Sequence, residues 1–252
     1  MRLSNKIALI TGASSDIGTE IAKRFSEEGA KVVLLGRNLK ALEKTRGALK
    51  NKDSHVSLSC DLADESQVLN TVQQIAEKYG KIDILINNAA KINDAIHFHE
   101  MKDADINGLI DTNILGTLRI TKAAISKMLE NKSGCIINIG SISSERAIPR
   151  VHLAVYSATK AAIAMFTKSI AVEYARKNIR CNCINLGIIN AGMIKPYLED
   201  PNARKVLEDK QPLNRIGQPS DVSNTAVFLA SEEASWITGA ILNVDGGKSA
   251  AE

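Results

Sequence analysis

Short apolar runs and longer stretches of helical period alternate along this chain. The runs KIALIT (6–11), KVVLLG (31–36), HVSLSCD (55–61) and IDILINN (82–88) are rich in β-branched residues. Between them come IGTEIAKRFSEEG (17–29), LKALEKTRGALK (39–50) and SQVLNTVQQIAEKYG (66–80), in which apolar positions recur every three or four residues. Two longer helical stretches follow, over 105–130 and 155–177, interleaved with the strand-like runs CIINIGS (135–141), RCNCINLG (180–187) and ILNVDGG (241–247). This order predicts an α/β fold, a doubly wound parallel sheet of about seven strands flanked by helices. The runs are nearly continuous in apolar residues, as strands covered on both faces must be. No Pro/Gly/Ser-rich linker interrupts the 252 residues, so a single domain over 1–252 is expected.

Composition narrows the function classes. The formal charge of +4 comes from acids and bases interspersed along the whole length, without the basic block of a nucleic-acid binder. No apolar run approaches the roughly 20 residues that cross a bilayer, and MRLSNKIALITG lacks the pattern of a secretory leader. A cytoplasmic protein that binds neither nucleic acid nor membrane is expected. Cys60, Cys135, Cys181 and Cys183 lie in or beside apolar runs and read as buried small hydrophobes. Neither they nor His97, His99 and His152 have metal-ligand spacing, so no metal site is expected.

The first candidate for chemistry is the segment TGASSDIG (11–18), which follows the first strand and opens directly into an amphipathic helix. Gly12 lets the chain turn sharply, Gly18 lets the helix pack close to the sheet, and the helix N-terminus offers free N–H groups and positive potential to a pyrophosphate.

With this turn the chain resembles the short-chain dehydrogenase/reductase family, whose pattern is TGxxxGxG on a Rossmann fold, and the resemblance runs nearly end to end. Further matches are Cys60-Asp-Leu62, Asn87-Asn-Ala-Ala90, Asn113 in DTNILGT, GCIINIGS (134–141), YSATK (156–160), NIRCN (178–182) and ITGAILNVDGG (237–247). The resemblance implies that Gly12, Ser14, Ser15, Asp16, Ile17 and Gly18 form the cofactor turn. Asp61 and Leu62 would approach the adenine, and Asn87 to Ala90, with Asn88 and Ala89 in contact, would line the ribose side. Gly187 and Ile189 would meet the nicotinamide. It implies a catalytic set of Asn113, Ser141, Tyr156 and Lys160, with Tyr156 and Lys160 also touching the cofactor. For Asn87 a buried amide tying neighbouring strands is an equal reading, and for Asn113 a structural amide kinking the long helix competes with a water-holding relay.

The chemistry demands such a set. A hydride arriving at a ketone carbon puts negative charge on the oxygen, so the site must supply hydrogen bonds and a proton. Free tyrosine has a pKa of about 10, and Lys160, four residues along one helix face, is expected to favour the phenolate of Tyr156. Strand geometry points to Ser141 as the serine that holds the substrate oxygen. Counting the family's spacing back from Tyr156 points instead to Ser143, and preferring Ser141 implies a two-residue insertion within 142–155.

The second strand ends in Gly36-Arg37-Asn38, where an NAD-preferring member usually has an acid. Arg37 offers a guanidinium to a 2′-phosphate, so NADP is expected over NAD. Three residues depart from the pattern: Asp16 replaces the second glycine, Leu186 a proline and Ala191 a threonine. Asp16 is expected either to weaken pyrophosphate binding, so that Asp16→Gly tightens it, or to cap the helix.

Residues 190–215 correspond to the substrate lid. Lys195, Arg204, Lys205 and Lys210 there read as a solvated face shared with Glu199, Asp200, Glu208 and Asp209, ahead of a dock for an acidic carrier protein. The implied function is NADP-dependent hydride transfer between nicotinamide and a carbonyl or secondary alcohol in a homotetramer, with 3-oxoacyl thioesters the first substrates to try. The alternative is a cofactor-binding regulator or scaffold without efficient turnover.

Overall fold

Runs of β-branched residues form seven strands in the computed structural model, which describes residues 1–148 and 151–251. Pro149 and Arg150, within the expected insertion, lie outside the described residues. The strands are β1 (Ile7–Thr11), β2 (Lys31–Gly36), β3 (Val56–Ser59), β4 (Ile84–Asn87), β5 (Gly134–Ser141), β6 (Ile179–Leu186) and β7 (Ile241–Val244). They form one parallel sheet in the order β3-β2-β1-β4-β5-β6-β7. The chain runs outward from β1 to β3 and then crosses back to place β4 on the other side of β1. The connections on either side of this switch point therefore diverge, leaving a crevice at the carboxyl ends of β1 and β4.

Alternate residues of each strand feed two cores. Ala8, Ile10, Val32, Leu34, Ile84 and Ile86 pack on α1 (Asp16–Glu27) and α8 (Pro219–Ala230). Ile7, Leu9, Val33, Leu35 and Leu85 pack on α3 (Glu65–Tyr79), α5 (Thr117–Glu130) and α6 (Ala154–Tyr174). Two shorter helices, α2 (Leu39–Gly47) and α4 (Asp103–Ile110), complete the flanks. The helix ends follow local chemistry. Ser15, Asn38 and Asp64 cap α1, α2 and α3 by accepting a main-chain N–H, and Gly80, at φ +74°, ends α3. Phe25 of α1 has no exposed surface. Its replacement by alanine is expected to cost about 3–5 kcal/mol, read as a lower urea midpoint with an unchanged slope.

The stretch read as one helix over 105–130 is instead α4, a π turn at Asp111–Gly116, and α5. The wider turn brings the Asn113 amide inward to the main chain of Lys91: its Oδ1 accepts from the Lys91 N–H at 2.7 Å and its Nδ2 donates to the Lys91 carbonyl at 2.9 Å. On the same turn Gly116 lies so close to Leu62 that a Cβ would come within 2.9 Å of the leucine Cβ.

Candidate active site

Threonine and asparagine side chains brace the turn after β1. The Thr11 hydroxyl accepts from the N–H groups of Asn88 and Ala89, both at 3.0 Å. Asn88 Nδ2 donates to the carbonyls of Thr11 and Gly12, both at 2.9 Å. The Asn88 side chain therefore holds the turn in shape, a role its place in the motif did not reveal. Gly12 has φ +61°, and a Cβ there would sit 2.9 Å from Ala89 Cα, while a Cβ on Gly18 would collide with the Gly12 carbonyl. The turn needs both glycines to pack at all.

Ser15, rather than Asp16, caps α1, its hydroxyl accepting from Gly18 N–H at 3.1 Å. Asp16 is the first helical residue, and its carboxylate reaches the lid, accepting from Gly192 N–H at 2.9 Å with Lys195 Nζ at 3.5 Å. The capping expectation for Asp16 is thereby corrected: a hydroxyl one residue earlier already meets the helix's N–H, leaving the acid free to turn outward. Among the described residues, the N–H groups of Asp16 and Ile17 have no partner. Two free N–H groups at a helix N-terminus, beside exposed Ser14, suit an anion, so the turn fits a dinucleotide pyrophosphate.

Along the crevice, Arg37 is exposed just beyond β2, and its guanidinium has no partner among the described residues. Asp61 accepts from Ala63 N–H at 3.0 Å, and Leu62 is buried against Gly116. Asn87 is a buried tie, donating to Thr121 at 2.9 Å and to Asn138 at 2.8 Å. At the far end, a Cβ on Gly187 would meet Asp245 Cα at 2.7 Å, so close packing against the loop after β7 requires this glycine. Ile189 is buried beside Gly217, and Leu186 simply extends β6 where a proline could not donate.

The proposed reacting groups meet above β5. Ser141, its last residue, accepts from Ser143 N–H at 3.2 Å and shares a hydrogen bond with the Ser143 hydroxyl at 2.9 Å. The Ser141 side chain lies beside the Tyr156 phenol, close enough to favour its ionised form. Ser143 is buried behind it, so of the two sequence alternatives Ser141 faces the phenol and Ser143 orients it. Tyr156 and Lys160 share a face of α6, with Nζ 5.7 Å from the ring centroid. Lys160 is buried and donates to the Ile139 carbonyl at 2.7 Å. Asn113 donates to Thr159, Lys160's neighbour, at 3.1 Å, which ties the π turn to α6. The buried asparagine thus braces the helix that carries both Tyr156 and Lys160.

The electrostatics differ from the sequence expectation. Burial pushes the Tyr156 phenol above its ordinary value, partly offset by the neighbouring Ser141 hydroxyl. Burial also pulls Lys160 down to about 8. Low dielectric disfavours the charged form of each group, so the fold by itself holds a neutral phenol and does not generate a phenolate.

Other chemistry-bearing residues have structural places. All four cysteines are free and buried, and burial raises the pKa of each thiol. The rings of His97 and His152 lie 4.2 Å apart, and those of His97 and His99 5.9 Å apart, as contacts between rings. Among the described residues no group of side chains is placed to hold a metal ion, and no helix is long and apolar enough to cross a membrane. The lid comprises a 3-10 segment, Gly192–Glu199, followed by α7 (Pro201–Glu208), with Arg204 paired to Glu208 at 3.4 Å.

Comparison with known proteins identifies relatives along almost the whole chain. A family model described as enoyl-(acyl carrier protein) reductase matches residues 12–249. The 3-oxoacyl-[acyl-carrier-protein] reductase FabG of Thermotoga maritima is 35% identical over 251 residues, covering 98% of this chain and 99% of the relative. Two crystal structures superpose closely. One is the 3-ketoacyl-(acyl-carrier-protein) reductase from Brucella melitensis complexed with NADH (TM-score 0.91, 33% identity, 98% of this chain and 99% of the other). The other is a gluconate 5-dehydrogenase from Burkholderia cenocepacia in complex with NADP and tartrate (TM-score 0.92, 30% identity, 100% of this chain and 98% of the other). With the glycine turn at the switch point, the Ser-Tyr-Lys cluster above β5 and matches along almost its whole length, the chain belongs to the short-chain dehydrogenase/reductase family of oxidoreductases, which act on CH–OH and C=O groups.

Proposed function

We propose that the protein is an NADP-dependent reductase of ketones, with 3-oxoacyl thioesters as the first substrate class. The observation that carries this reading is the half-buried Tyr156 phenol set beside Ser141 and on one helix face with Lys160, where burial favours the protonated form that carbonyl reduction needs in its acid. A bound nicotinamide supplies or takes the hydride. The chain's part is to hold the ketone oxygen with the Ser141 hydroxyl and to pass it the Tyr156 proton. Lys160, on the same helix face, stabilises the phenoxide left behind. Asn113 keeps α6 in register, and the lid over 190–215 excludes water.

The cofactor turn of Gly12, Ser14, Ser15, Asp16, Ile17 and Gly18 takes the pyrophosphate, and Asp61, Leu62, Ala89, Gly187 and Ile189 line the crevice. Arg37 favours the 2′-phosphate. The curated relative named above is a 3-oxoacyl-carrier-protein reductase, which supports the substrate class. The two related crystal structures hold NADH and NADP respectively, so the preference rests on Arg37.

We also propose a cytoplasmic homotetramer. Val172 and Met165 on α6 are 81% and 61% exposed, and Trp236, in the loop that leads into the edge strand β7, is 99% exposed. Exposed apolar side chains at two separate places suit two kinds of two-fold contact, which together give a dimer of dimers. The buried free thiols suit a reducing compartment.

The reading is tested by following the absorbance of reduced nicotinamide against a carbonyl panel that includes 3-oxoacyl thioesters. NADPH oxidation at a lower KM than NADH is expected, and Arg37→Glu should reverse the preference by about 10- to 100-fold, the range of a lost charge-assisted phosphate contact. NADPH binding without turnover on any carbonyl would return the protein to the regulator class.

A further inference from the structure

Asp16 stands where the family's turn has its second glycine, and the structure gives that carboxylate a partner far away in sequence. Its Oδ2 accepts from Gly192 N–H at 2.9 Å and its Oδ1 lies 3.5 Å from Lys195 Nζ, contacts that span 176 and 179 residues. Gly192 is suited to this contact. Its φ of +55° swings the main chain after Ala191 toward α1, a conformation that a residue with a Cβ adopts only with strain. Elsewhere the lid holds on by a few contacts, among them buried Leu198 and the 2.8 Å bond from Asn190 N–H to the Gly217 carbonyl, while Met193 and Tyr197 lie exposed.

We propose that Asp16 is the anchor that fastens the lid to the pyrophosphate turn, so that its carboxylate helps the protein retain the dinucleotide instead of repelling it. The inference rests on reading that turn as the dinucleotide site. Two physical effects compete. A carboxylate near a pyrophosphate repels it, but here the negative charge points away from the free N–H groups of α1 and is shared with a lysine ammonium and a main-chain N–H. Against that residual repulsion, a lid already ordered before binding spares the ligand the entropy of ordering it, and a fastened lid must open before the ligand leaves. The second effect wins, which reverses the sequence expectation that Asp16→Gly tightens binding. It also accounts for Ala191 in place of threonine, since the lid is tied through protein atoms next to that position and needs no side-chain bond to the cofactor there.

The test combines amide hydrogen exchange of the ligand-free protein with stopped-flow release of NADPH, on wild type, Asp16→Gly and Asp16→Asn. In Asp16→Gly the Gly192 amide should exchange about tenfold faster, equivalent to about 1.4 kcal/mol, with α8 amides unchanged as the check on folding. NADPH release should quicken by a similar factor, and KM for the ketone should rise more than kcat falls. Asp16→Asn, whose side-chain oxygen still accepts from Gly192, should restore most of the protection and most of the retention time. Unchanged exchange at Gly192 in Asp16→Gly, or NADPH held as long as or longer than in wild type, would overturn the anchor. Wild type that fails to bind NADPH would instead remove the cofactor reading, and the exchange arm would still decide the lid contact on its own.

Discussion

Tyr156→Phe is expected to lower kcat by about 10²- to 10⁴-fold while leaving NADPH affinity within about twofold of wild type. The substitution removes one oxygen from a half-buried ring and leaves the ring's packing intact. What disappears is the proposed proton donor beside Ser141. Without a donor, negative charge develops on the substrate oxygen with only the Ser141 hydroxyl to meet it, and a lone neutral hydrogen bond cannot replace transfer of the proton. Steady-state kinetics together with calorimetric titration of NADPH separate the two effects. A phenylalanine variant that keeps a tenth of the wild-type rate would place the acid elsewhere in the crevice.

Lys160→Met should abolish turnover and, at pH 7, make the protein more stable. The buried ammonium has a pKa of about 8 against an ordinary value of 10.5. The unfolded chain keeps this proton up to about pH 10.5, whereas the folded chain releases it near 8. Between those values unfolding takes up a proton, so Lys160 makes wild-type stability rise with pH across that window. Below pH 8 the full burden of the buried charge, roughly 3 kcal/mol, acts against the fold. Methionine removes that burden but gives up the bond to the Ile139 carbonyl, worth about 1 kcal/mol, so a net gain of about 2 kcal/mol is expected at pH 7. Urea denaturation at pH 7 and pH 10 measures it, with the gain shrinking at the higher pH. A variant less stable than wild type at pH 7 would mean that the ammonium supports the fold and does not strain it.

Such a trade, stability given up for a poised charge, is expected where a fold carries chemistry. It also shows where sequence reading reached its limit. The four-residue spacing of Tyr156 and Lys160 places them on one helix face, and the structure confirms the face. Spacing carries no information about burial, so the expectation of a phenolate favoured by its neighbour missed the desolvation that opposes both charges. Ser141 and Ser143 illustrate the same limit. Both were legible as candidates, but only the meeting of β5 with α6 puts Ser141 against the phenol and Ser143 behind it.

The π turn at Asp111–Gly116 left no periodic signal, because one widened turn barely shifts a hydrophobic stripe. Asn113 and Gly116 marked its place, but the reason for it, an amide satisfying both main-chain groups of Lys91, lies on another segment. Asn88 was likewise recognisable as part of a motif. Its work, holding the carbonyls of Thr11 and Gly12, becomes visible only when β4 lies beside β1.

By itself, then, the sequence determined the alternation of strand and helix, the two-sided burial of the sheet, the glycine turn with its helix and the residues proposed to move a proton. These follow from chain-local rules: the period of apolar positions, capping side chains and the conformational freedom of glycine. Only the tertiary structure decided which serine faces Tyr156, how deeply Lys160 is buried, and that Asp16 faces the lid instead of capping its own helix. Each of those depends on groups brought together from distant parts of the chain, where solvent exclusion and hydrogen-bond partners are set by packing.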